Sequence, residues 1–391
     1  MKYDFSSITD RRGTGSFKWA QVEAYPEADA VYPLSTADME FPAPPEIRNA
    51  CAEFAQRGFY CYTEGDGSYK KDICDFMLRR HNWKIQPEWI VNTYGIVSAL
   101  HTAVKAFTDE NDGVIAMPPV YAHFYDAARL TGRKLVNVPL VINGGRYEID
   151  FAGLEEACKK PENKLLIFCS PHNPVGRVWT RDELLRTLKI CRENGVIIVS
   201  DEIHFDITKN EHTVISNLGE GGDNCVICTA VSKSFNVAGL ATSNIIIEND
   251  RLRRLFTKQI EADGYSCINA FAYPATHAAY TACDSWLDEM NERVNKNFEI
   301  FENALKSEMP KIFFCPREGT YMAWLDVSCF NIPASVDKAD FFAKNTGFIP
   351  NDGAWFEGDG TSHIRVNLAV AEETLRRFIT ALKKCYGEYA K

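Results

Sequence analysis

Between about residues 90 and 260, short apolar runs rich in Val and Ile alternate with longer stretches in which apolar residues recur at helical spacing. Residues 114–117, 165–169, 196–199, 225–230 and 244–247 are apolar at nearly every position. A strand with one wet face alternates apolar and polar residues, so runs of this kind predict strands buried on both faces. The first two runs lead into amphipathic stretches at 121–130 and 181–193, and a third helix-like stretch follows residue 94 and runs to Phe107. Strands separated by helices predict an α/β unit, a mainly parallel sheet covered on both sides.

The pattern changes after residue 284. Trp286, Leu287, Met290, Val294, Phe298 and Phe301 recur at helical spacing, predicting a long helix over 284–305 that leads from one domain to another. Residues 320–327 and 363–368 then read as strands of a smaller α+β domain. No linker rich in Pro, Gly or Ser marks the boundary, and no repeat or low-complexity tract is present. A chain of 391 residues suits two domains, the larger able to bury a site.

Composition narrows the partners. A hydrophobic fraction of 46% and a charged fraction of 25% fit a folded globular protein. The net charge of −10 is spread without a basic block, giving no electrostatic support for nucleic acid or an anionic membrane. The N-terminal stretch has no apolar signal core, and no run approaches the roughly 18 apolar residues that span a bilayer. A cytoplasmic location is expected, with the thirteen dispersed cysteines reduced. Cys225 and Cys228 form a Cys-x-x-Cys, but strand alternation sends them to opposite faces, so no metal site is expected there.

Candidate chemistry collects at the ends of the predicted strands. The stretch 170–176 reads Ser-Pro-His-Asn-Pro-Val-Gly, 200–204 reads Ser-Asp-Glu-Ile-His, and 230–236 reads Ala-Val-Ser-Lys-Ser-Phe-Asn. In an open α/β sheet, ligands gather beyond the carboxyl ends of the strands, where Asn173, Asp201 and Lys233 would converge. Singly, each has a plain structural explanation: a turn, a helix cap, a solvated lysine. Asp201 ends an apolar strand, where a carboxylate is costly to bury unless it meets a cation. Downstream, 363–367 reads His-Ile-Arg-Val-Asn, and Arg365 has the planar fork that grips a carboxylate through two parallel hydrogen bonds.

These four motifs, in this order and over almost the whole chain, resemble the fold-type I pyridoxal-phosphate (PLP) enzymes, in particular the branch of cystathionine β-lyases within the class I and II aminotransferase superfamily. The resemblance implies a large domain, residues 48–285, with a mainly parallel seven-stranded sheet flanked by helices, and a smaller α+β domain from residues 1–47 and 286–391. It implies PLP as cofactor, Lys233 as the Schiff-base lysine and Cα proton shuttle, and Asp201 as partner of the ring nitrogen. Asn173 would reach the ring's 3′-oxygen and, with Arg365 and the backbone at Ala37, the substrate carboxylate. Tyr121 would stack on the ring, with His204 beside it. Gly95, Ile96 and Val97, at a helix N-terminus, would receive the phosphate together with Ser232, a better candidate than Ser234. Tyr62 would reach into a partner subunit's site, which implies a homodimer with shared sites acting on an amino-acid substrate.

Two departures from the pattern stand out. Many relatives carry Arg or Lys eight residues after the lysine, where this chain has Ala241. Relatives often have Trp before the Ala-Asp-Met-Asp-Phe loop, where Ser35 and Thr36 stand here. The core motifs serve both transamination and β-elimination. His204, in place of the tyrosine typical of aminotransferases, and the sequences Pro-His-Asn-Pro and Ala-Asp-Met-Glu-Phe resemble the carbon–sulfur lyases more closely. The expected reaction is cleavage of L-cystathionine or another cysteine S-conjugate to a thiol, pyruvate and ammonia. The alternatives are an aminotransferase and, from another class, a regulatory protein that binds a transcription factor, as some members of this branch do.

Overall fold

The computed structural model describes residues 2–25, 31–219, 222–265, 267–333 and 335–391. Residues 1 and 26–30 of the predicted N-terminal part of the small domain lie outside these.

Seven strands make the central sheet: Ile90–Thr93 (β1), Gly113–Ala116 (β2), Lys134–Asn137 (β3), Asn163–Cys169 (β4), Ile197–Asp201 (β5), Cys225–Thr229 (β6) and Ser243–Ile246 (β7). Their spatial order is β1-β7-β6-β5-β4-β2-β3, and β7 runs antiparallel to both of its neighbours. The pairs from β6 across to β3 are all parallel.

Alternate residues along each central strand enter different apolar clusters, as two-sided burial requires. Leu166, Phe168, Ile198, Cys225 and Ile227 face one cluster with Leu154, Leu184 and Leu188 from helices Phe151–Cys158 and Arg181–Glu193. Leu165, Ile167, Val199, Val226 and Cys228 face the other, with Leu100, Phe124 and Phe256 from helices Ile96–Phe107, His123–Arg129 and Asp250–Ala262. The thiols of Cys225 and Cys228 thus lie on opposite faces, as alternation predicts. Helix Arg181–Glu193 starts on a capping box, Thr180 with Glu183, which fixes where the helix begins.

Helix Asp284–Glu308 carries the predicted apolar stripe and runs three residues beyond the expected end. It leads to a four-stranded antiparallel sheet of Phe313–Phe314 (β8), Met322–Asp326 (β9), Asn351–Asp352 (β10) and His363–Asn367 (β11), in the order β8-β9-β11-β10. Strand Tyr32–Pro33 pairs in parallel with Phe348–Ile349, so the N-terminal segment packs with the C-terminal part of the chain. In β11, Arg365 stands opposite Trp324 on one side and Asn351 on the other.

Candidate active site

Asp201 is the last residue of β5, and its register partners on β4 and β6 are Cys169 and Cys228. Asn173 follows the end of β4, Lys233 sits in the short helix Val231–Ser234 after β6, and Gly95 caps the helix Ile96–Phe107 after β1. Parallel β4, β5 and β6 point their carboxyl ends the same way, so residues far apart in sequence meet at one edge. There they line a cavity of about 570 Å³ with Tyr121, His204, Ser232, Ala37 and Arg365. Every site residue read from the sequence except Tyr62 lines it. Tyr62 is 96% exposed and lies at a separate surface hollow with Thr63 and Glu64.

Asp201 is buried and accepts one hydrogen bond at its carboxylate, from Ile203 N–H at 3.1 Å. Burial pushes its pKa up to about 7, Glu202 adds to the rise, and Lys233 opposes it. Buried Glu202 lies behind it, 2.7 Å from His212 Nε2 and accepting from Ser200 Oγ at 2.9 Å. A carboxylate in this setting suits a cationic donor, which a protonated pyridine nitrogen supplies. Burial holds His204 near pKa 3, so its imidazole is neutral, and its buried Nδ1 has no hydrogen-bond partner. Cys169, also in the cavity wall, has its thiol pKa pushed well above the ordinary value by burial and by Asp201.

Arg365 is 3% exposed, and the groups that hold it are neutral. Its Nη1 donates to Asn173 Oδ1 at 3.0 Å, and its Nη2 donates to Asn351 Oδ1 at 2.6 Å and Ser35 O at 3.4 Å. The guanidinium lies over the Phe356 ring at 4.6 Å, and burial lowers its pKa to about 10. Its buried Nε has no partner. A buried guanidinium supported only by amides, a carbonyl and a ring has the charge and planar fork that suit a carboxylate.

Lys233 Nζ donates to Ala37 O at 2.7 Å and lies 3.6 Å from Asp38 Oδ1. Burial lowers its pKa, Arg365 adds to the fall, and Asp38 opposes it. Gly95 has φ +102° and ψ 167°, a backbone that side-chain-bearing residues rarely adopt, and a Cβ there would meet nothing within 4 Å. Glycine is therefore selected by its backbone angle, at the start of a helix whose first residues, Ile96 and Val97, line the cavity. Ser232 shares this lining, whereas Ser234 is buried with its hydroxyl on the Asp206 carboxylate at 2.5 Å. The only Lys and Arg among the described lining residues are Lys233 and Arg365, and Ala241 is among the lining residues. Tyr121, its pKa pushed up to about 12 by burial, packs edge-on against Trp355 at 5.3 Å.

Several residues of this cavity escaped the sequence reading. Asn351 stands on a two-residue strand and Trp355 in a single turn, both too short to leave a periodic signal. Phe17 and Gln21 come from the N-terminal segment, where a four-residue helix runs into a short turn. Gln21 accepts from Ser35 Oγ at 2.7 Å, so Ser35 is tied into a polar wall. Phe17 and Trp355, 79% and 43% exposed, form the rim.

Comparison with known proteins agrees with this geometry. The family described as aminotransferase class I and II matches residues 30–382. The chain is 38% identical to the cystathionine β-lyase PatB of Bacillus subtilis, over 97% of this chain and 100% of that protein. It is 28% identical to the protein MalY of Escherichia coli, over 97% and 98%. Cystalysin from Treponema denticola, whose crystal structure contains pyridoxal 5′-phosphate, superposes with a TM-score of 0.95 at 37% identity, covering 99% of this chain and all of that one. The PLP-bound C-S lyase from Staphylococcus hominis gives 0.92 at 32% identity, covering 98% of each.

Proposed function

Because the chain belongs to the class I and II aminotransferase family, we propose that it is a PLP-dependent carbon–sulfur β-lyase that cleaves L-cystathionine or a related cysteine S-conjugate to a thiol, pyruvate and ammonia. The observation that carries the reading is the meeting of Asn173, Asp201, Lys233 and Arg365 in one cavity at the strand ends. The relatives named for cystathionine β-lyase and C-S lyase activity then favour elimination over transamination.

Bound in this cavity, PLP supplies an electron sink for the substrate's Cα. Asp201 holds the proton on the ring nitrogen, since its buried carboxylate gains more from that cation than from any neutral donor. Lys233 is the cofactor's point of attachment and, once free, the base that takes the Cα proton. A pKa lowered by burial leaves more of its amine unprotonated and able to do so. Arg365 and Asn173 fix the substrate carboxylate and so the direction of the Cα–H bond. The N–H groups at Gly95–Val97 and the Ser232 hydroxyl take the phosphate, and Tyr121 covers the ring face.

The proposal includes a cytoplasmic homodimer, with residues 48–285 as the cofactor-holding domain and 1–47 with 286–391 as the smaller one. No helix among the described residues is long and apolar enough to cross a membrane. Phe59, Tyr60 and Tyr62 are 76%, 63% and 96% exposed, an aromatic group that a second subunit would cover, with Tyr62 entering that subunit's site.

The test is release of pyruvate and free thiol from L-cystathionine by PLP-loaded protein without a 2-oxo acid, beside Lys233→Ala. Sustained release by the wild type alone is expected. Turnover only after a 2-oxo acid is added, with amino-group transfer to it, would make the protein an aminotransferase.

A further inference from the structure

The loop of residues 36–41, which carries Ala37, is clamped from three sides. Asn367, two residues after Arg365, donates from Nδ2 to Thr36 O at 2.8 Å and Asp38 O at 2.7 Å. Asn236, three residues after Lys233 and at φ +56°, donates to Met39 O at 3.0 Å and Phe41 O at 2.7 Å, and accepts from Met39 N–H at 3.0 Å. From the N-terminal helix, fully buried Lys18 reaches Asp38 O at 3.0 Å and the Glu40 carboxylate at 2.8 Å. Tyr321 OH adds a bond to Ala37 O at 2.7 Å. A loop fixed at so many backbone atoms delivers its side chains to set places, and the place given to the Asp38 carboxylate is 3.6 Å from Lys233 Nζ.

We propose that Asp38 is a positioning residue for Lys233: its carboxylate and Ala37 O hold the lysine's free amine and stabilise that amine as an ammonium after it has taken the Cα proton. This rests on the reading of Lys233 as the proton carrier.

The charged and titratable groups that face Lys233 are few. Among the described residues, Asp38 comes from the loop, Asp201 from β5 and Arg365 from β11, while His204 and Tyr121 line the same cavity and Tyr321 shares Ala37 O. His204 is neutral, both tyrosines have pKa values raised by burial, and Arg365 repels the ammonium. Of the two carboxylates, Asp201 is committed to the ring nitrogen when the cofactor is bound. Of these two side chains, Asp38 is then the carboxylate left for Lys233, and it opposes the burial of the lysine more strongly than Asp201 does.

The proton balance follows. As the Cα–H bond breaks, its electron pair passes toward the cofactor and its proton joins Lys233 Nζ. As the carbon–sulfur bond breaks, the pair released from the Cα–H bond closes the Cα–Cβ double bond, sulfur takes the carbon–sulfur bonding pair and that same proton, and Nζ returns to the free amine. Asp38 holds the proton on nitrogen in the interval between the two steps.

The experiment is pH-dependent labelling of Lys233 in the cofactor-free protein with limiting acetic anhydride, read by mass spectrometry of the Lys233 peptide, for wild type, Asp38→Asn and Asp38→Glu. Asp38→Asn is expected to lower the pH of half-maximal reactivity by about one unit, equivalent to about tenfold more free amine at a given pH, and Asp38→Glu to restore much of it. In the PLP-loaded enzyme, Asp38→Asn should shift the pH profile of kcat with little change in KM. Asp38→Ser replaces the asparagine variant if the latter does not fold. Labelling curves that coincide for wild type and the neutral variants would overturn the proposal. Labelling needs no turnover, so the outcome is independent of whether the protein is a lyase or an aminotransferase.

Discussion

Replacing Asp201 by asparagine removes the charge and keeps the shape, and its consequences are opposite in the cofactor-free and cofactor-bound protein. Burial raises the Asp201 pKa from the ordinary 3.8 to about 7 in the cofactor-free chain. At about 1.4 kcal/mol per pH unit, keeping the carboxylate ionised above pH 7 costs the fold about 4 kcal/mol, an upper figure because the buried site relaxes. The sign follows from proton uptake. Between about pH 4 and pH 7 the folded chain keeps a proton that the unfolded chain has lost, so this group's contribution to stability falls as pH rises through that window. Asparagine has no such loss. In urea titrations of the cofactor-free forms, Asp201→Asn should therefore gain on wild type between pH 5 and pH 8 by roughly 2 to 3 kcal/mol. With PLP the order reverses: the variant lacks the anion that pairs with the ring nitrogen, and removing one partner of a buried pair costs about 3–5 kcal/mol, at least a hundredfold in cofactor affinity. A cofactor-free variant that gains nothing between pH 5 and pH 8 would show that the carboxylate is solvated, and the reasoning would fail.

Two further outcomes follow from the geometry. Arg365→Lys keeps a cation but loses the fork that meets a carboxylate in two places. Steady-state kinetics should show KM rising about tenfold to a hundredfold, from the loss of roughly 1.5–3 kcal/mol, with a smaller change in kcat. If Tyr62 serves the partner's site, mixing inactive Lys233→Ala with a weakened Tyr62→Ala variant should restore activity through hybrid dimers that hold one complete site. No recovery on mixing would confine Tyr62 to its own subunit or to the surface.

The central sheet was legible because its inner strands are buried on both faces and leave unbroken apolar runs: β4, β5 and β6 lie within a residue or two of the runs that predicted them. The outer strands β1 and β3 were not read, since each mixes apolar with polar residues over four positions. Asn173, Asp201 and Lys233 were legible because each follows such a run. Asn351 and Trp355 were not, because their places depend on the register of β10 against β11 and on the packing of one turn. Asp38 stood in a motif noted for its backbone at Ala37, yet only the fold shows that three distant side chains aim its carboxylate at Lys233.

A lyase of this kind fills its own cavity with thiol at every turnover, and Cys169 forms part of that cavity's wall. Exchange between sulfur compounds runs through the thiolate, and burial beside Asp201 keeps Cys169 protonated far above neutral pH. Its sulfur is engaged as well, donating to Pro171 O at 3.5 Å and accepting from Asn173 N–H at 3.4 Å. The sulfur in the cavity wall is therefore poorly placed to form mixed disulfides with product. The desolvation that raises the Asp201 carboxyl's pKa thus also holds the neighbouring Cys169 sulfur in its less reactive thiol form.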